Sequence, residues 1–141
     1  MTQGTQTQLD QFVHHFQQMD IVMLHLLLDD NRSYQNMPKP QFLQKLANAF
    51  AEFKENGNTQ LLPFPGFCKE PSCHGGKTDL HGRCFVGDSS PHYLAMIIEV
   101  KDGKLTDLFE CASMGHHDTV PQKQHRIFID PIIFNNDVMP F

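Results

Sequence analysis

The spacing of the apolar residues changes near Gly57, and this change limits the folds that the chain can adopt. Before Gly57 the apolar residues recur every three or four positions, which is the spacing of one buried helix face. Two such stripes are Leu9, Phe12, Val13 and Phe16, and then Phe42, Leu43, Leu46, Ala47, Phe50 and Phe53. After Gly57, short apolar runs separated by Gly and Pro are typical of strands. The sequence therefore predicts an α+β fold, in which N-terminal helices pack on an antiparallel sheet.

Further signals divide the two halves into elements. Asp20 predicts a short middle helix over 21–28, because its carboxylate can accept backbone N–H groups of the first turn. Strands are expected over 59–67, 84–86, 92–100, 105–112 and 125–129, and a loop over 114–122. Pro63 and Pro65 place the first strand at a sheet edge, since proline cannot donate to a ladder.

The Asp102-Gly103 pair predicts a tight hairpin, because this dipeptide is typical of two-residue type I′ turns. Continuous pairing from that turn places certain residues on one face of the sheet: Leu94, Met96, Ile98, Val100, Leu105, Asp107, Phe109 and Cys111. Asp107 is the polar exception among them. It is therefore the candidate general base, with a pKa that burial would raise.

Three of the four cysteines and two of the nine histidines lie within 68–84. Thiolates and imidazoles in a segment rich in Gly and Pro are typical of zinc sites, where four ligands form a tetrahedron. The predicted ligands are Cys68, Cys73, His81 and Cys84, in the spacing Cys-x4-Cys-x7-His-x2-Cys. An ion with four protein ligands would be structural, because a hydrolytic zinc needs an open position for water.

Other interpretations of this segment remain open. His74 is the alternative fourth ligand, although a residue next to Cys73 must turn sharply to reach the same ion. Cys111 is a further candidate if its strand lies beside Cys84. The cysteines and histidines can also be unconnected core thiols and solvated rings, or include a disulfide. A disulfide is disfavoured because residues 1–8 lack the features of a secretory signal.

Length and composition indicate a single domain over 1–141, since 40% apolar residues with twelve Phe suffice for one core. The net charge of −5 is spread without long runs, so neither nucleic acid nor a membrane surface is an expected partner. The longest apolar run, 21–28, is interrupted by His25 and is far shorter than the roughly 20 residues that span a bilayer. We expect a cytoplasmic protein.

The order of the elements resembles that of the nuclear transport factor 2-like (cystatin-like) superfamily. The resemblance rests on three features: Phe16-x3-Asp20-x6-Leu27-Leu28-Asp29-Asp30, the helix over 42–53, and the strand pair over 93–111 around Lys101-Asp102-Gly103-Lys104-Leu105. The resemblance implies a cone-shaped α+β fold whose curved antiparallel sheet wraps a pocket. The predicted zinc segment departs from the general pattern of the superfamily and resembles an insertion between two strands. Similar proteins include isomerases, dehydratases, polyketide cyclases and non-enzymatic modules, so the fold leaves the function open.

Three functions are compatible with these features. The first is a non-catalytic module for small-ligand binding or dimerisation, stabilised by a structural zinc whose binding free energy is also folding free energy. The second is an isomerase- or dehydratase-like enzyme with Asp107 as the base and His117 or His125 as its partner. The third is a metallohydrolase using His116, His117 and Asp118 with the cysteines, although the chain has no His-Glu-x-x-His motif.

A homodimer is expected through the open face of the sheet. The strands over 93–100 and 105–112 are apolar on both faces, whereas the helices can cover only one. The apolar tail over 132–141 is the alternative cover for that face.

Overall fold

The computed structural model describes residues 8–68, 80–110, 114–116 and 125–130, with the backbone alone at 67, 68 and 114–116. The helices are α1 (Gln8–Gln17), α2 (Ile21–Leu27) and α3 (Lys39–Glu55). The strands are β1 (Ser33–Tyr34), β2 (Met37–Pro38), β3 (Leu61–Cys68), β4 (Leu80–Gly87), β5 (His92–Lys101), β6 (Lys104–Glu110), β7 (Met114–His116) and β8 (His125–Arg126). The α+β class is therefore confirmed.

Local signals set the ends of the helices, and Asp20 has its predicted effect. Asp20 caps α2, and its Oδ1 accepts the N–H of Met23 at 3.1 Å. Helix α3 begins with Pro40 in its first turn, where the missing N–H costs nothing. It ends just before Gly57, which has a φ of 89°. Such a φ suits glycine because other residues meet a steric penalty there.

The main sheet has the strand order β6-β5-β4-β3-β7, and β8 pairs with β5. Neighbouring strands are antiparallel except for the short parallel bridge between β5 and β8. The loop predicted over 114–122 is wrong at its start, because β7 pairs with the end of β3. The prediction that the first strand lies at a sheet edge is wrong, because β3 lies between β4 and β7. The described residues of β7 pair only with Gly66, Phe67 and Cys68, beyond the two prolines.

The sheet is curved, as the connection from β6 to β7 requires. Glu110 and Met114 are four residues apart, so they are separated by at most about 14 Å. Four inter-strand spacings separate β6 from β7 in the sheet order, which is about 19 Å in a flat sheet. The chain can join these two strands only if the sheet curls toward itself.

The predicted hairpin forms, but its register is correct only beside the turn. Asp102 and Gly103 both have positive φ, 53° and 79°, as a type I′ turn requires. The pairing then shifts between Val100 and Glu99, where Thr106 is an extra residue on β6. This β-bulge moves every later residue of β6 to the face opposite the predicted one.

The helices and one face of the sheet enclose the main core. At its centre the ring of Phe16 stacks on Phe85 of β4 with centroids 4.1 Å apart. It also contacts Phe50 of α3 at 5.0 Å and Phe12 of its own helix at 5.3 Å. All four rings are at most 2% exposed. The space between the helices and this part of the sheet is therefore filled by aromatic side chains.

The second face of the sheet has its own small apolar cluster. Its centre is formed by Cys84, Val86, Ala95 and Ile97, each at most 2% exposed in the single chain. Half-buried side chains surround it: Phe64, Leu80, Tyr93 and Phe109. A dimer through this face was expected because the face would otherwise be open. Its centre is already buried in one chain, so that reason for a dimer does not apply.

A second hairpin, not predicted from the sequence, joins α2 to α3. Strands β1 and β2 pair antiparallel, with Gln35 and Asn36 at the turn. These two residues have φ values of 52° and 60°. Asn tolerates this region but Gln rarely adopts it, so contacts elsewhere must hold Gln35 in the turn.

Candidate functional site: the buried Glu110 cluster

The bulge in β6 places a carboxylate where the sequence predicted an apolar face. Glu110 pairs with Met96, whose side chain belongs to the core under the helices. Opposed residues of two strands share a face, so Glu110 also points to that side. It is 7% exposed.

Protein donors surround the Glu110 carboxylate. Oε1 accepts hydrogen bonds from Nε2 of Gln35 and from the N–H of Asp130, each at 3.0 Å. Oε2 accepts the N–H of Ile129 at 2.8 Å. The backbone N–H of Glu110 in turn donates to Oε1 of Gln35 at 3.1 Å. The cluster thus joins β6, the β1–β2 hairpin and the segment 125–130.

Two opposing effects act on the acidity of this group. Burial raises the pKa of the Glu110 carboxyl above the usual range of a glutamate, because the charged form loses its hydration. The hydrogen bonds from Gln35, Ile129 and Asp130 favour the charged form and oppose this rise, but burial is the larger effect. A raised carboxyl pKa is common in active sites and is also found in structural clusters.

The geometry of the acceptors distinguishes these two roles. A general base must have an oxygen within hydrogen-bond reach of the substrate proton that it removes. Both oxygens of Glu110 are already bonded to donors of the chain. The carboxylate therefore acts as an acceptor that fixes three separate segments, and this role is structural.

Asp107, the base predicted from the sequence, lies on the bulged strand opposite Glu99. Its Oδ1 accepts the N–H of Leu108 at 2.7 Å and the N–H of Gln35 at 3.3 Å. It therefore supports the β1–β2 turn. His125, one of its predicted partners, pairs with His92, seven residues along β5 from Glu99, or about 23 Å. The structure does not bring Asp107 and His125 together.

The remaining predicted catalytic residues have no described side chains. His116 belongs to β7, where only the backbone is described, and His117 and Asp118 lie outside the described residues. The ring of His125 lies 5.1 Å from that of His92. Nδ1 of His92 is 2.8 Å from the Ser90 hydroxyl. This hydroxyl also accepts the amide of Asn58 at 2.9 Å, so it fixes the turn between β4 and β5.

The predicted zinc ligands His81 and Cys84 both lie on β4. His81 pairs with Ile98, a residue of the main core, and Cys84 pairs with Ala95, a residue of the second cluster. Residues three apart in a continuous strand point to opposite faces. The register therefore separates these two side chains instead of bringing them to one ion.

Backbone pairing also separates Cys84 from Cys68. Cys84 lies opposite Phe64, which is four residues along β3 from Cys68, or about 13 Å. Two thiolates on one zinc have their sulfurs within about 4 Å, since each Zn–S bond is about 2.3 Å. Cys84 does not fit a site that includes Cys68. Cys73, His74 and Cys111 lie outside the described residues, so a zinc site in this segment stays a prediction.

Among the residues whose side chains are described, no three or more His, Cys, Asp or Glu side chains lie together in a way that could hold a metal ion. Across the same part of the chain, no helix combines the length and apolar character needed to cross a bilayer. Comparisons with models of protein families, with curated proteins and with solved structures found no match.

Lys39 is a second buried polar group that sequence reasoning missed. It is 4% exposed at the start of α3. Its Nζ donates to the carbonyl oxygens of His25 and Leu28, both at 2.8 Å, and contacts Asp30. The last carbonyls of a helix have no intrahelical donors, so Lys39 caps the end of α2. The hydrogen bond from Lys39 lowers the pKa of Asp30.

Proposed function

We propose that this chain is a non-catalytic binding module, with the cone-like architecture of the nuclear transport factor 2-like proteins, that acts through its outer surface. The observation that supports this most directly is the aromatic stack of Phe16 and Phe85. In a cone that binds a small molecule, the space between helices and sheet holds the ligand. In this chain, aromatic side chains fill the space between the helices and the sheet. Of the two module functions, this favours dimerisation over binding of a ligand inside the cone.

The hydrogen bonds that the buried carboxylate already accepts support the same proposal. An enzyme of the isomerase or dehydratase type needs a base that can exchange a proton with its substrate. Glu110 is bonded to Gln35, Ile129 and Asp130. Asp107 accepts two backbone N–H groups. These hydrogen bonds to both carboxylates come from donors of the chain itself, which supports a structural role for them.

Binding of a small apolar probe tests whether the interior is filled. Benzene at saturation should leave the melting temperature of the native chain unchanged, since a packed core has no room for it. Phe16→Ala should leave a cavity that binds benzene, so that its melting temperature rises in the presence of the probe. Gln41→Ala, a change at an exposed residue of α3, is the control and should show no response. A clear stabilisation of the native chain by benzene would contradict the proposal.

A structural zinc in the segment 68–84 remains part of the proposal. It is supported by the density of Cys and His in that segment. The ligands predicted from the sequence, Cys68, Cys73, His81 and Cys84 with His74 as the alternative, stay a prediction, and the register of β4 argues against a site that contains both His81 and Cys84. Such an ion would pin the connection between the two strands and contribute its binding free energy to folding.

A further inference from the structure

The chain contains one Asn-Gly pair, Asn56-Gly57, which lies at the C-terminal end of α3. Both residues are exposed, and a Cβ built on Gly57 would meet nothing within 4 Å. An asparagine followed by glycine is prone to deamidation, because glycine has no side chain to hinder the approach of its nitrogen to the asparagine side chain. Neither neighbouring atoms nor burial therefore protect this pair from reaction.

The reaction needs no group from outside the pair except water. The backbone nitrogen of Gly57 attacks Cγ of Asn56, and the new N–Cγ bond closes a five-membered succinimide ring. The Cγ–Nδ2 bond breaks, and the proton of the Gly57 amide ends on the side-chain nitrogen, which leaves as ammonia. Water then opens the ring at one of its two carbonyls. Opening at Cγ gives aspartate, and opening at the backbone carbonyl gives isoaspartate, in which the main chain runs through Cγ.

The folded geometry of α3 opposes this ring closure. The ring needs Cβ of Asn56 and the nitrogen of Gly57 nearly eclipsed about the Cα–C bond, and a ψ of 18° at Asn56 holds them far from that position. The N–H of Gly57 donates to the carbonyl of Lys54 at 3.0 Å. Nδ2 of Asn56 donates to the carbonyl of Glu52 at 2.9 Å. Both nitrogens of the reaction are bonded to the last turn, so that turn must open first.

Opening of this turn does not require unfolding of the core. Phe53, at 0% exposure, fixes the helix on one side of the turn. Asn58, at 3% exposure, fixes the chain on the other side, where its side-chain amide donates to the carbonyl of Phe53. The four residues between them, 54–57, are all exposed. Helix ends open at a small fraction of the free energy that global unfolding needs.

We propose that Asn56 is a site of spontaneous deamidation and that opening of the last turn of α3 sets its rate. A carboxylate at position 56 can no longer donate to the carbonyl of Glu52, and it places negative charge at the negative end of the helix macrodipole. Isoaspartate also adds one methylene to the main chain, so the N–H groups of Gly57 and Asn58 lose their present alignment with α3. Modification therefore loosens the link from α3 to the β4–β5 turn, which Asn58 holds through Ser89 and Ser90.

Mass spectrometry of the full chain, incubated at mildly alkaline pH and then digested, measures conversion at residue 56. The reference is a synthetic peptide of residues 50–62, which is too short to form a stable helix alone. Conversion in the full chain should be about five- to 150-fold slower than in the peptide, since two hydrogen bonds must open. A full chain that shows no conversion at residue 56, under conditions in which the peptide converts, overturns the site.

A glycine in the last turn tests whether opening of the turn sets the rate. Lys54 is exposed, and Lys54→Gly should speed conversion in the full chain by about four- to five-fold, because glycine disfavours the helical state. The same change in the peptide should leave the rate unchanged. Gln41→Gly, at an exposed position near the other end of α3, is the control and should convert at the native rate. Equal rates in the full chain and the peptide, or an unchanged rate in Lys54→Gly, overturn the control of the reaction by this turn.

Discussion

Gln35 and Glu110 are joined by two hydrogen bonds that run in opposite directions. Nε2 of Gln35 donates to Oε1 of Glu110 at 3.0 Å, and the backbone N–H of Glu110 donates to Oε1 of Gln35 at 3.1 Å. One amide thus satisfies both a charged acceptor and a backbone donor at the end of β6. The β1–β2 turn, with its positive φ values, is held against the sheet by this exchange.

Removal of this amide should therefore destabilise the whole fold. We expect Gln35→Ala to lower the free energy of unfolding by about 2 kcal/mol, because a buried N–H and a buried carboxylate each lose a partner. Urea unfolding followed by circular dichroism measures the change. Gln41→Ala, at an exposed position of α3, is the control and should have almost no effect. Equal stability of the two variants would show that water replaces the amide at no cost.

The buried carboxylate should give a characteristic pH dependence. The pKa of Glu110 is raised in the folded state, so the fold binds this proton more tightly than the unfolded chain does. This contribution to stability is complete below the unfolded pKa of about 4.3 and is lost as the pH rises through the folded pKa. Glu110→Gln cannot titrate. The unfolding free energy of the native protein, relative to that of Glu110→Gln, should therefore fall as the pH rises above about 4. A difference that is constant from pH 4 to 8 would contradict a raised pKa of Glu110.

Lys39 should stabilise the fold by more than its ion pair with Asp30 alone would. Lys39→Met keeps the length of the side chain but leaves the carbonyls of His25 and Leu28 without their donor. We expect a loss of about 2 kcal/mol in urea unfolding, mostly from the lost cap, since the ion pair with the exposed Asp30 contributes little. Lys101→Met, at the exposed last residue of β5, should be neutral. Similar small effects of both changes would rule out the capping role.

Gly87 should not tolerate even one added methyl group. A Cβ at this position would lie 2.3 Å from Oδ1 of Asn58. That oxygen accepts the N–H of Ser89, and the amide of Asn58 donates to the carbonyl of Phe53, so Asn58 cannot move away freely. Gly87→Ala should cost about 1–3 kcal/mol. Gly103→Asn, where the φ of 79° is tolerated by Asn, should cost less in the same thermal unfolding measurement.

Metal analysis should show which cysteines of the segment 68–84 bind zinc. If zinc is bound there, Cys73→Ser should release it and lower the melting temperature. Cys84→Ala should retain the metal, because Cys84 is buried on the second face of the sheet. Zinc content is measured on protein prepared without chelators. Loss of zinc from Cys84→Ala would return Cys84 to the ligand set, and absence of zinc from the native chain would exclude the site.

Features that depend on neighbouring residues were predictable, and features that depend on distant contacts were not. The Asp102-Gly103 turn follows from the φ values that these two residues tolerate. The bulge at Thr106 does not, because its hydroxyl bonds to Glu99 on the neighbouring strand. That one extra residue placed Glu110, instead of Asp107, toward the core. His81 and Cys84 both lie in the continuous strand β4. Their spacing resembles that of zinc ligands, so the sequence alone did not predict this strand.

The β1–β2 hairpin shows the same limit. Gln35 and Asn36 do not form one of the dipeptides that signal a tight turn, since Asn-Gly or Asp-Gly is the usual pair. The turn is held by Asp107 and Glu110, which are more than 70 residues away in the sequence. No local pattern encodes such contacts.

Two stretches of the main sheet affect how the protein behaves at high concentration. Along β3, Pro63 and Pro65 lack backbone N–H donors. Along β6, the bulge at Thr106 interrupts the regular ladder. A foreign strand needs a long, regular row of donors and acceptors to extend a sheet, and neither of these two stretches provides one. Addition of a strand at either stretch should therefore be unfavourable even when the folded chain is concentrated.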